Sequence, residues 1–281
     1  MTKDELEELL GEWIVELRLQ ELSKGTLKNY KPIVQRFIDW LPDDDPKIDK
    51  ATVIDFKEYL ESVLDATSTR NHNIVVVDKF LKWIGKQDCC VKTFKVQSKQ
   101  SNEEIISKAD YKRLLRWAKQ TGDMQIYYIM KILASTGIRI GELDFFTVEN
   151  LDFYIDVTNK GKERKIFVRQ DLFRELRKYA REQGIKTGYI FPSPVKQGQM
   201  LAEVTIWRRM KKVAGRARVS KKKVHAHSFR HLFAQAFLEE HGDLATLADI
   251  LGHSSLETTR LYTRTSDEQK RHMLEAINLT K

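Results

Sequence analysis

The chain of 281 residues is poor in cysteine, proline and glycine, with two, five and thirteen of these residues respectively. Its two cysteines, Cys89 and Cys90, are adjacent, and adjacent cysteines rarely bridge. The sequence therefore supports neither a disulfide framework nor a structural zinc site. A reducing cytoplasm is the expected compartment. The scarcity of proline and glycine leaves room for long helices.

Long hydrophobic runs are also missing. No window approaches the ~18 uninterrupted apolar residues of a membrane-spanning helix, so we expect no membrane partner. The first ten residues, MTKDELEELL, are acidic and amphipathic, unlike a signal peptide. Hydrophobic residues make up 41% of the chain and charged residues 32%, which is the mixture of a globular protein.

The charge is divided unevenly along the chain. Lys and Arg number 49 and Asp and Glu number 40, so the net charge is +9. Residues 1–100 contain 16 basic and 18 acidic side chains, a net of −2, which leaves 33 basic and 22 acidic side chains, a net of +11, in residues 101–281. The excess predicts a polyanionic partner for the C-terminal part.

The N-terminal part shows hydrophobic residues at helical spacing. Pro32 interrupts the second of these patterns, so that helix either begins near Asn29 or kinks at the proline. Four short helices make a compact helical module, which we assign to residues 1–91. The helices are predicted at about 4–20, 27–41, 51–63 and 68–85.

Residues 92–102 are polar without a period and form the best linker candidate, so a second domain spans residues 103–281. Alternating apolar residues on either side of Asn159-Lys160-Gly161-Lys162 predict a small antiparallel sheet. The remaining periodic segments predict helices at about 107–120, 123–136, 171–183, 202–214, 227–240, 244–251, 255–263 and 267–278.

The first candidate for chemistry is Arg139, in the segment Thr136-Gly137-Ile138-Arg139-Ile140-Gly141-Glu142. The segment ends one helix at a glycine and begins another, so the helix ends can aim the arginine. Glu142 lies three residues on, on the same face, where it can orient the guanidinium. A surface arginine at a helix start is the alternative interpretation.

The second candidate is His225-Ala226-His227-Ser228-Phe229-Arg230-His231. His227 and Arg230 share a helix face, and a helix start at this point favours an anion. Histidine can move a proton near neutral pH, and arginine can hold two oxygens with a permanent charge. One alternative is a structural histidine. Another is a metal site at His227 and His231, which the charge of Arg230 and the missing glutamate of an H-E-x-x-H motif disfavour.

The third candidate is the segment from Leu251 to Tyr262, LGHSSLETTRLY. Gly252 ends a helix, and Ser254 or Ser255 can cap the next one, which carries Tyr262. A tyrosine hydroxyl can attack phosphorus and form a covalent intermediate. Nearby cationic charge would assist it, because the pKa of free tyrosine is about 10. Packing in a core or interface is the alternative interpretation.

Two basic features complete the set. Lys160 and Lys162 flank a glycine on the tight turn between the strands, where a hairpin tip can reach a DNA groove or the lysines can be merely solvated. The stretch 208–223 contains nine basic residues and no acidic one, which favours a phosphate backbone over a solvated face. From these two features we expect DNA contacts by Lys162, Arg208, Arg209, Lys211, Lys212, Lys221, Lys222 and Lys223.

In order and spacing, these features together closely resemble the tyrosine recombinase (phage integrase) family. The resemblance rests on Arg139, Lys160, H-x-x-R at 227–230, L-G-H ending at His253, and Tyr262 nine residues later. Residues 23–30, SKGTLKNY, are also similar to the S-x-x-T-x-x-x-Y opening of that family's core-binding domain. The resemblance covers nearly the whole chain. The chain looks most like the Xer branch of the family, including its archaeal members, although a mobile-element integrase of simple design would look alike.

The resemblance implies roles for six residues. Tyr262 matches the nucleophile, and Arg139 and Arg230 match the two arginines that hold the non-bridging phosphate oxygens. His227 matches the general acid/base, and His253 matches the position that hydrogen-bonds the phosphate.

Lys160 matches the lysine that protonates the leaving 5′-oxygen. Lys162 competes for this role, because K-G-K-E-R is one residue shorter than the commoner K-G-x-K-E-R of the family.

The implied fold is mainly α, with a helical SAM-like core-binding domain that clamps DNA and an α-rich catalytic domain that contains a small antiparallel sheet. The implied activity is site-specific recombination through a 3′-phosphotyrosyl intermediate, as in chromosome dimer resolution or in integration and excision of a mobile element. The implied partner is a double-stranded recombination site. No cofactor, metal or small-molecule substrate is expected.

A C-terminal helix carries apolar residues after the nucleophile: Met273, Leu274, Ile277 and Leu279. In the family such a segment docks into a neighbouring subunit, which implies a tetramer on two sites, although packing on its own domain is the alternative. Three other functions stay open at this point. They are a type IB topoisomerase-like nicking and closing activity, a DNA-binding protein without catalysis, and a metal-dependent nuclease.

Overall fold

The computed structural model describes residues 1–43, 46–95, 105–159, 162–252 and 259, with the main chain alone at residues 159 and 162. The chain divides into two compact units, residues 1–101 and 102–281. The predicted fold class, mainly helical with one small antiparallel sheet, is confirmed. Within the described ranges, no helix is long and apolar enough to cross a membrane.

In its described residues, the first unit has four α-helices around one apolar core, followed by a short 3-10 helix, Gln87–Cys89. Its aromatic centre includes Phe37 against Phe56, at 5.0 Å between ring centroids, and Trp13 edge-on to Phe80 at 5.5 Å. The helices are α1 (Lys3–Leu19), α2 (Lys24–Trp40), α3 (Lys50–Val63) and α4 (Thr67–Trp83).

The start of α2 explains part of the S-x-x-T-x-x-x-Y pattern. Ser23 is the N-cap residue, and its hydroxyl accepts a hydrogen bond from the main-chain N–H of Thr26. Tyr30 stacks on Trp13 of α1, at 5.9 Å between ring centroids. The helix continues through Pro32, which excludes the first of the two alternatives, a start near Asn29: the cap at Ser23 sets the first turn upstream of the proline.

The second unit places a two-stranded sheet among helices. Strands β1 (Tyr154–Asn159) and β2 (Lys162–Phe167) pair antiparallel. Ile155 and Ile166 are directly opposite each other and buried, which is the alternation that the sequence predicted. The α-helices in the described part of this unit are α5 (Lys108–Gln120), α6 (Met124–Thr136), α7 (Gln170–Glu182), α8 (Glu203–Arg216), α9 (Ala226–His241) and α10 (Leu244–Leu251).

The turn after α6 brings three helices close together. Gly137 closes α6 in the left-handed conformation, at φ +64°, and a Cβ atom there would lie 2.4 Å from Phe233 of α9 and 2.7 Å from Leu251 of α10. A side chain at Gly137 would therefore be both strained and blocked. The predicted second helix of this segment is a short 3-10 helix, Ile140–Phe145. The helices predicted at 255–263 and 267–278 lie outside the described residues, apart from Thr259.

Candidate active site

Helix α9 begins with a histidine cap. His225 has extended backbone geometry, and its Nδ1 accepts a hydrogen bond from the main-chain N–H of Ser228 at 3.3 Å. The cap satisfies one of the main-chain N–H groups that a helix start leaves without an intrahelical partner. His225 matched no expected chemical role, and the structure gives it this local one.

Arg230, in the second turn of α9, is almost fully buried, with 2% of its surface exposed. One guanidinium nitrogen donates to the carbonyl oxygen of Gly137 at 2.6 Å, and another donates to that of Leu251 at 2.8 Å. These two carbonyls close α6 and α10, at helix ends that carry partial negative charge. Arg230 therefore joins two segments: the one that continues to Arg139 and the one that continues to His253.

His227 lies one turn before Arg230 on the same helix, and its side chain is exposed. Its ring meets that of His231 edge-on, at 4.7 Å between centroids. Such a pair could begin a metal site. Across the part of the chain that the structure describes, no third His, Cys or carboxylate joins these rings to make a metal-binding group.

Arg139 precedes the 3-10 helix and lies beside a buried carboxylate. Its main-chain N–H donates to Oε2 of Glu142 at 2.7 Å, and its Nη1 lies 3.5 Å from Oε1 of the same group. The carboxylate is 1% exposed, whereas the Arg139 side chain is 47% exposed. Glu142 can thus orient an arginine that still reaches solvent, and with it a ligand.

The sequence reasoning missed the second partner of Glu142. Arg164 in β2 donates from Nη2 to Oε2 of Glu142 at 2.5 Å, and from Nη1 to the carbonyl oxygen of Ile250 in α10 at 2.7 Å. Arg164 is the last residue of the K-G-K-E-R segment, so the motif itself was the available signal.

Three predicted site residues, Lys160, His253 and Tyr262, lie outside the described residues. The side chain of Lys162 does so as well. Two described neighbours bound the segment that holds His253. Gly252 ends α10 at φ +65°, and Thr259, three residues before Tyr262, is fully buried in a helical turn.

The basic stretch divides into exposed and paired side chains. Arg209 of α8 forms an ion pair with Asp123 and a hydrogen bond at 2.7 Å to Oε1 of Gln125, so its guanidinium has partners within the unit. Lys211 donates to the carbonyl oxygen of Lys221, and burial lowers the pKa of its ammonium group. Lys223 is partly exposed, and the exposed members are Arg208, Lys212, Arg216, Arg218, Lys221 and Lys222.

Comparison with known protein families identifies the family of the chain. The sequence model of the phage integrase family matches residues 104–269, which is more than half of the chain. The chain belongs to the phage integrase family. A second model, the N-terminal SAM-like domain of phage integrases, matches residues 10–88. The predicted SAM-like module is therefore confirmed.

Relatives of this phage integrase family member include Xer recombinases. The chain is 26% identical over 283 residues to tyrosine recombinase XerA of Pyrococcus furiosus, with 97% of this chain and 94% of the relative covered. It is 24% identical to XerA of Saccharolobus solfataricus, with 96% and 93% covered. The predicted resemblance to the Xer branch of the tyrosine recombinases is confirmed, and so is the predicted class of enzyme, a site-specific recombinase.

Solved structures show the same fold. A crystal structure of XerA recombinase matches 96% of this chain and 98% of its own, at 25% identity and a TM-score of 0.53. A structure of XerH recombinase bound to a palindromic difH substrate matches 98% of this chain and 84% of its own, at 17% identity and a TM-score of 0.73.

Proposed function

We propose that this recombinase cuts and rejoins DNA with Tyr262 as the nucleophile and with Arg139 and Arg230 as the charges that stabilise the transition state. The observation that carries the proposal is the pair of hydrogen bonds from Arg230 to Gly137 and Leu251. They join three segments, far apart in sequence, that hold both arginines and lead to His253.

The reaction is a phosphoryl transfer. The hydroxyl group of Tyr262 gives its proton to His227, and its oxygen attacks the scissile phosphorus in line. The 5′-oxygen of the DNA leaves and takes a proton from Lys160, or from Lys162, and the DNA stays attached through a 3′-phosphotyrosyl bond. A 5′-hydroxyl of a partner strand then reverses the step.

Arg139 and Arg230 hold the non-bridging oxygens of that phosphate. A buried, hydrogen-bonded guanidinium such as Arg230 is already oriented before the reaction begins, which is the condition under which fixed charges stabilise a transition state most. His227 acts as general acid/base and His253 hydrogen-bonds the phosphate. Each strand transfer makes one phosphodiester-type bond for each one broken, so the reaction needs neither ATP nor a metal ion.

DNA binding is shared between the two domains of the chain. We assign residues 1–91 to a DNA clamp, 92–102 to a linker and 103–281 to the catalytic domain. The substrate is a double-stranded recombination site, and the similar XerH recombinase was solved bound to a palindromic difH substrate. The exposed part of the 208–223 stretch holds the phosphate backbone.

The biological process is chromosome dimer resolution or the integration and excision of a mobile element, carried out by a tetramer on two sites. We place it in the cytoplasm, where Cys89 and Cys90, both free thiols, stay reduced.

A suicide substrate tests this proposal. Such a DNA loses the short strand that carries the 5′-hydroxyl, so the covalent intermediate accumulates and migrates as a protein–DNA adduct on a denaturing gel. We expect an adduct with the wild-type chain, with and without EDTA, and none with Tyr262→Phe, although the variant binds the DNA equally well. Tyr154→Phe, which alters an exposed tyrosine of β1, should form the adduct normally. An adduct with Tyr262→Phe, or one that EDTA abolishes, would contradict the proposal.

A further inference from the structure

The hairpin that carries Lys160 also carries Arg164, whose side chain is only 14% exposed and reaches two other segments. It donates to Glu142 beside the 3-10 helix and to the carbonyl of Ile250 near the end of α10. The same side chain also lies against Gly252. A Cβ atom added to Gly252 would be 2.5 Å from Cδ of Arg164. One guanidinium therefore connects the segments that hold Lys160, Arg139 and His253.

The contact between Arg164 and Glu142 bears on the reaction because Glu142 also lies beside Arg139. Its carboxylate is buried, and a buried charge needs a compensating partner. Two arginines are within reach: Arg164 at 2.5 Å and the Nη1 of Arg139 at 3.5 Å. Among the described residues, Oε1 of Glu142 accepts no hydrogen bond, so its ion pair with Arg139, at 3.5 Å, is longer than the hydrogen-bonded pair with Arg164.

The geometry implies that Glu142 and the scissile phosphate compete for the guanidinium of Arg139. In the absence of Arg164, Arg139 would be the remaining cation beside this buried carboxylate among the residues that the structure describes. Its guanidinium would then turn toward Glu142, and a phosphate that needs the same guanidinium would have to displace a carboxylate in a site of low dielectric constant. With Arg164 in place, Glu142 is already compensated.

We propose that Arg164 is a positioning residue for strand cleavage: it pairs with Glu142 and thereby leaves the guanidinium of Arg139 available to the scissile phosphate. This inference rests on the proposed function, because it assigns Arg139 to the phosphate. Arg164 acts through Glu142 and Arg139, and its contact with Ile250 keeps the guanidinium in place at the end of α10.

The test compares Arg164→Gln with wild type on two suicide substrates. The first has an ordinary scissile phosphate, and the second has a methylphosphonate, which lacks the negative charge that Arg139 holds. On the phosphate we expect the cleavage rate at saturating DNA to fall roughly 30- to 100-fold, with DNA affinity within about threefold of wild type. On the methylphosphonate we expect the cleavage rates of Arg164→Gln and wild type to lie within about threefold of each other.

Two reference variants sharpen the comparison. Arg139→Ala removes the guanidinium itself, so it should show the same convergence on the methylphosphonate. Arg177→Gln removes another arginine of the same unit that donates to a main-chain carbonyl, that of Leu151 at 3.3 Å, without contact to Glu142. It should cleave both substrates at the wild-type rate.

The outcomes separate the two proposals. If wild type forms no adduct on either substrate, the proposed function fails. If wild type cleaves and Arg164→Gln cleaves equally fast, or loses the same factor on both substrates, the positioning role alone is overturned. Should Arg164→Gln not fold, Arg164→Lys keeps the positive charge, and the same comparison applies: any loss must be larger on the phosphate than on the methylphosphonate.

Discussion

Arg230 donates a hydrogen bond to the carbonyl oxygen of Gly137 at 2.6 Å, across 93 residues of sequence. Gly137 closes α6, and Arg139 follows two residues later. A residue proposed to hold the phosphate is thus also part of the packing that positions the other proposed arginine. Arg230 and Arg139 should therefore respond differently to the same substitution.

Alanine substitutions should separate the two arginines. Arg139→Ala removes a half-exposed side chain, so it should reduce cleavage by ~100-fold while changing the free energy of unfolding by less than about 1 kcal/mol. Arg230→Ala should reduce cleavage at least as much and also lower the free energy of unfolding by about 2–4 kcal/mol, because it removes two buried charge-assisted hydrogen bonds. Urea unfolding and suicide-substrate cleavage measure the two effects. Equal stability of the two variants would show that the buried hydrogen bonds contribute little.

Gly242 serves as a control for the crowded turn at Gly137. Both end a helix in the left-handed conformation, at φ +64° and +67°, but a Cβ at Gly242 would meet nothing within 4 Å. Gly242→Ala should cost about 1 kcal/mol of backbone strain. Gly137→Ala should cost about 2–4 kcal/mol, because its methyl group also collides with Phe233 and Leu251. Thermal or urea unfolding of both variants tests this, and equal losses would mean that the turn can widen at no cost.

Arg208 and Arg209 are adjacent in α8 but have different surroundings. Arg208 is exposed, so Arg208→Ala should weaken DNA binding and reduce the slope of log K against log salt by about 0.9. Arg209 is paired with Asp123 and Gln125, so Arg209→Ala should leave that slope nearly unchanged and lower the stability of the unit. Binding titrations at several salt concentrations distinguish them. A full reduction of the slope by Arg209→Ala would mean that DNA breaks the ion pair.

The raised pKa values of two buried tyrosines predict that the protein loses stability at high pH. Burial raises the pKa of both Tyr128 and Tyr179 to about 12, whereas an unfolded chain ionises its tyrosines near pH 10. The unfolded state therefore loses these protons first, so their contribution is complete below about pH 10 and disappears as the pH rises toward 12. Between pH 9 and 11.5 the free energy of unfolding should fall by roughly 1–2 kcal/mol for each tyrosine. Tyr128→Phe and Tyr179→Phe should each flatten this decline in urea unfolding measured across that pH range, and a decline that both variants leave unchanged would contradict the assignment.

Local patterns predicted most of the helices to within a few residues, because caps and hydrophobic period are short-range features. Pro32 shows where a local rule was overruled. Proline disfavours a helix interior, yet Ser23 caps α2 nine residues earlier and the buried side chains of that helix hold it in place.

The site depended on contacts that no local pattern contains. The spacing of Arg139 and Glu142 was enough to predict that they lie together, because three residues make one helical turn. The K-G-K-E-R motif marks Arg164, but its contacts were not predictable from local spacing, since its partners Glu142 and Ile250 are 22 and 86 residues away in sequence. The same holds for Arg209, whose partners Asp123 and Gln125, at the start of α6, are more than 80 residues distant.

The central claim is that Tyr262 carries the covalent bond to DNA, and mass spectrometry of the trapped adduct tests it most directly. Trypsin cleaves after Arg260 and Arg264, so Tyr262 lies in the peptide Leu261-Tyr262-Thr263-Arg264. After nuclease digestion, this peptide should carry a nucleotide on the tyrosine oxygen through a 3′-phosphate. A nucleotide on any other residue, or one linked through its 5′-phosphate, would contradict the account.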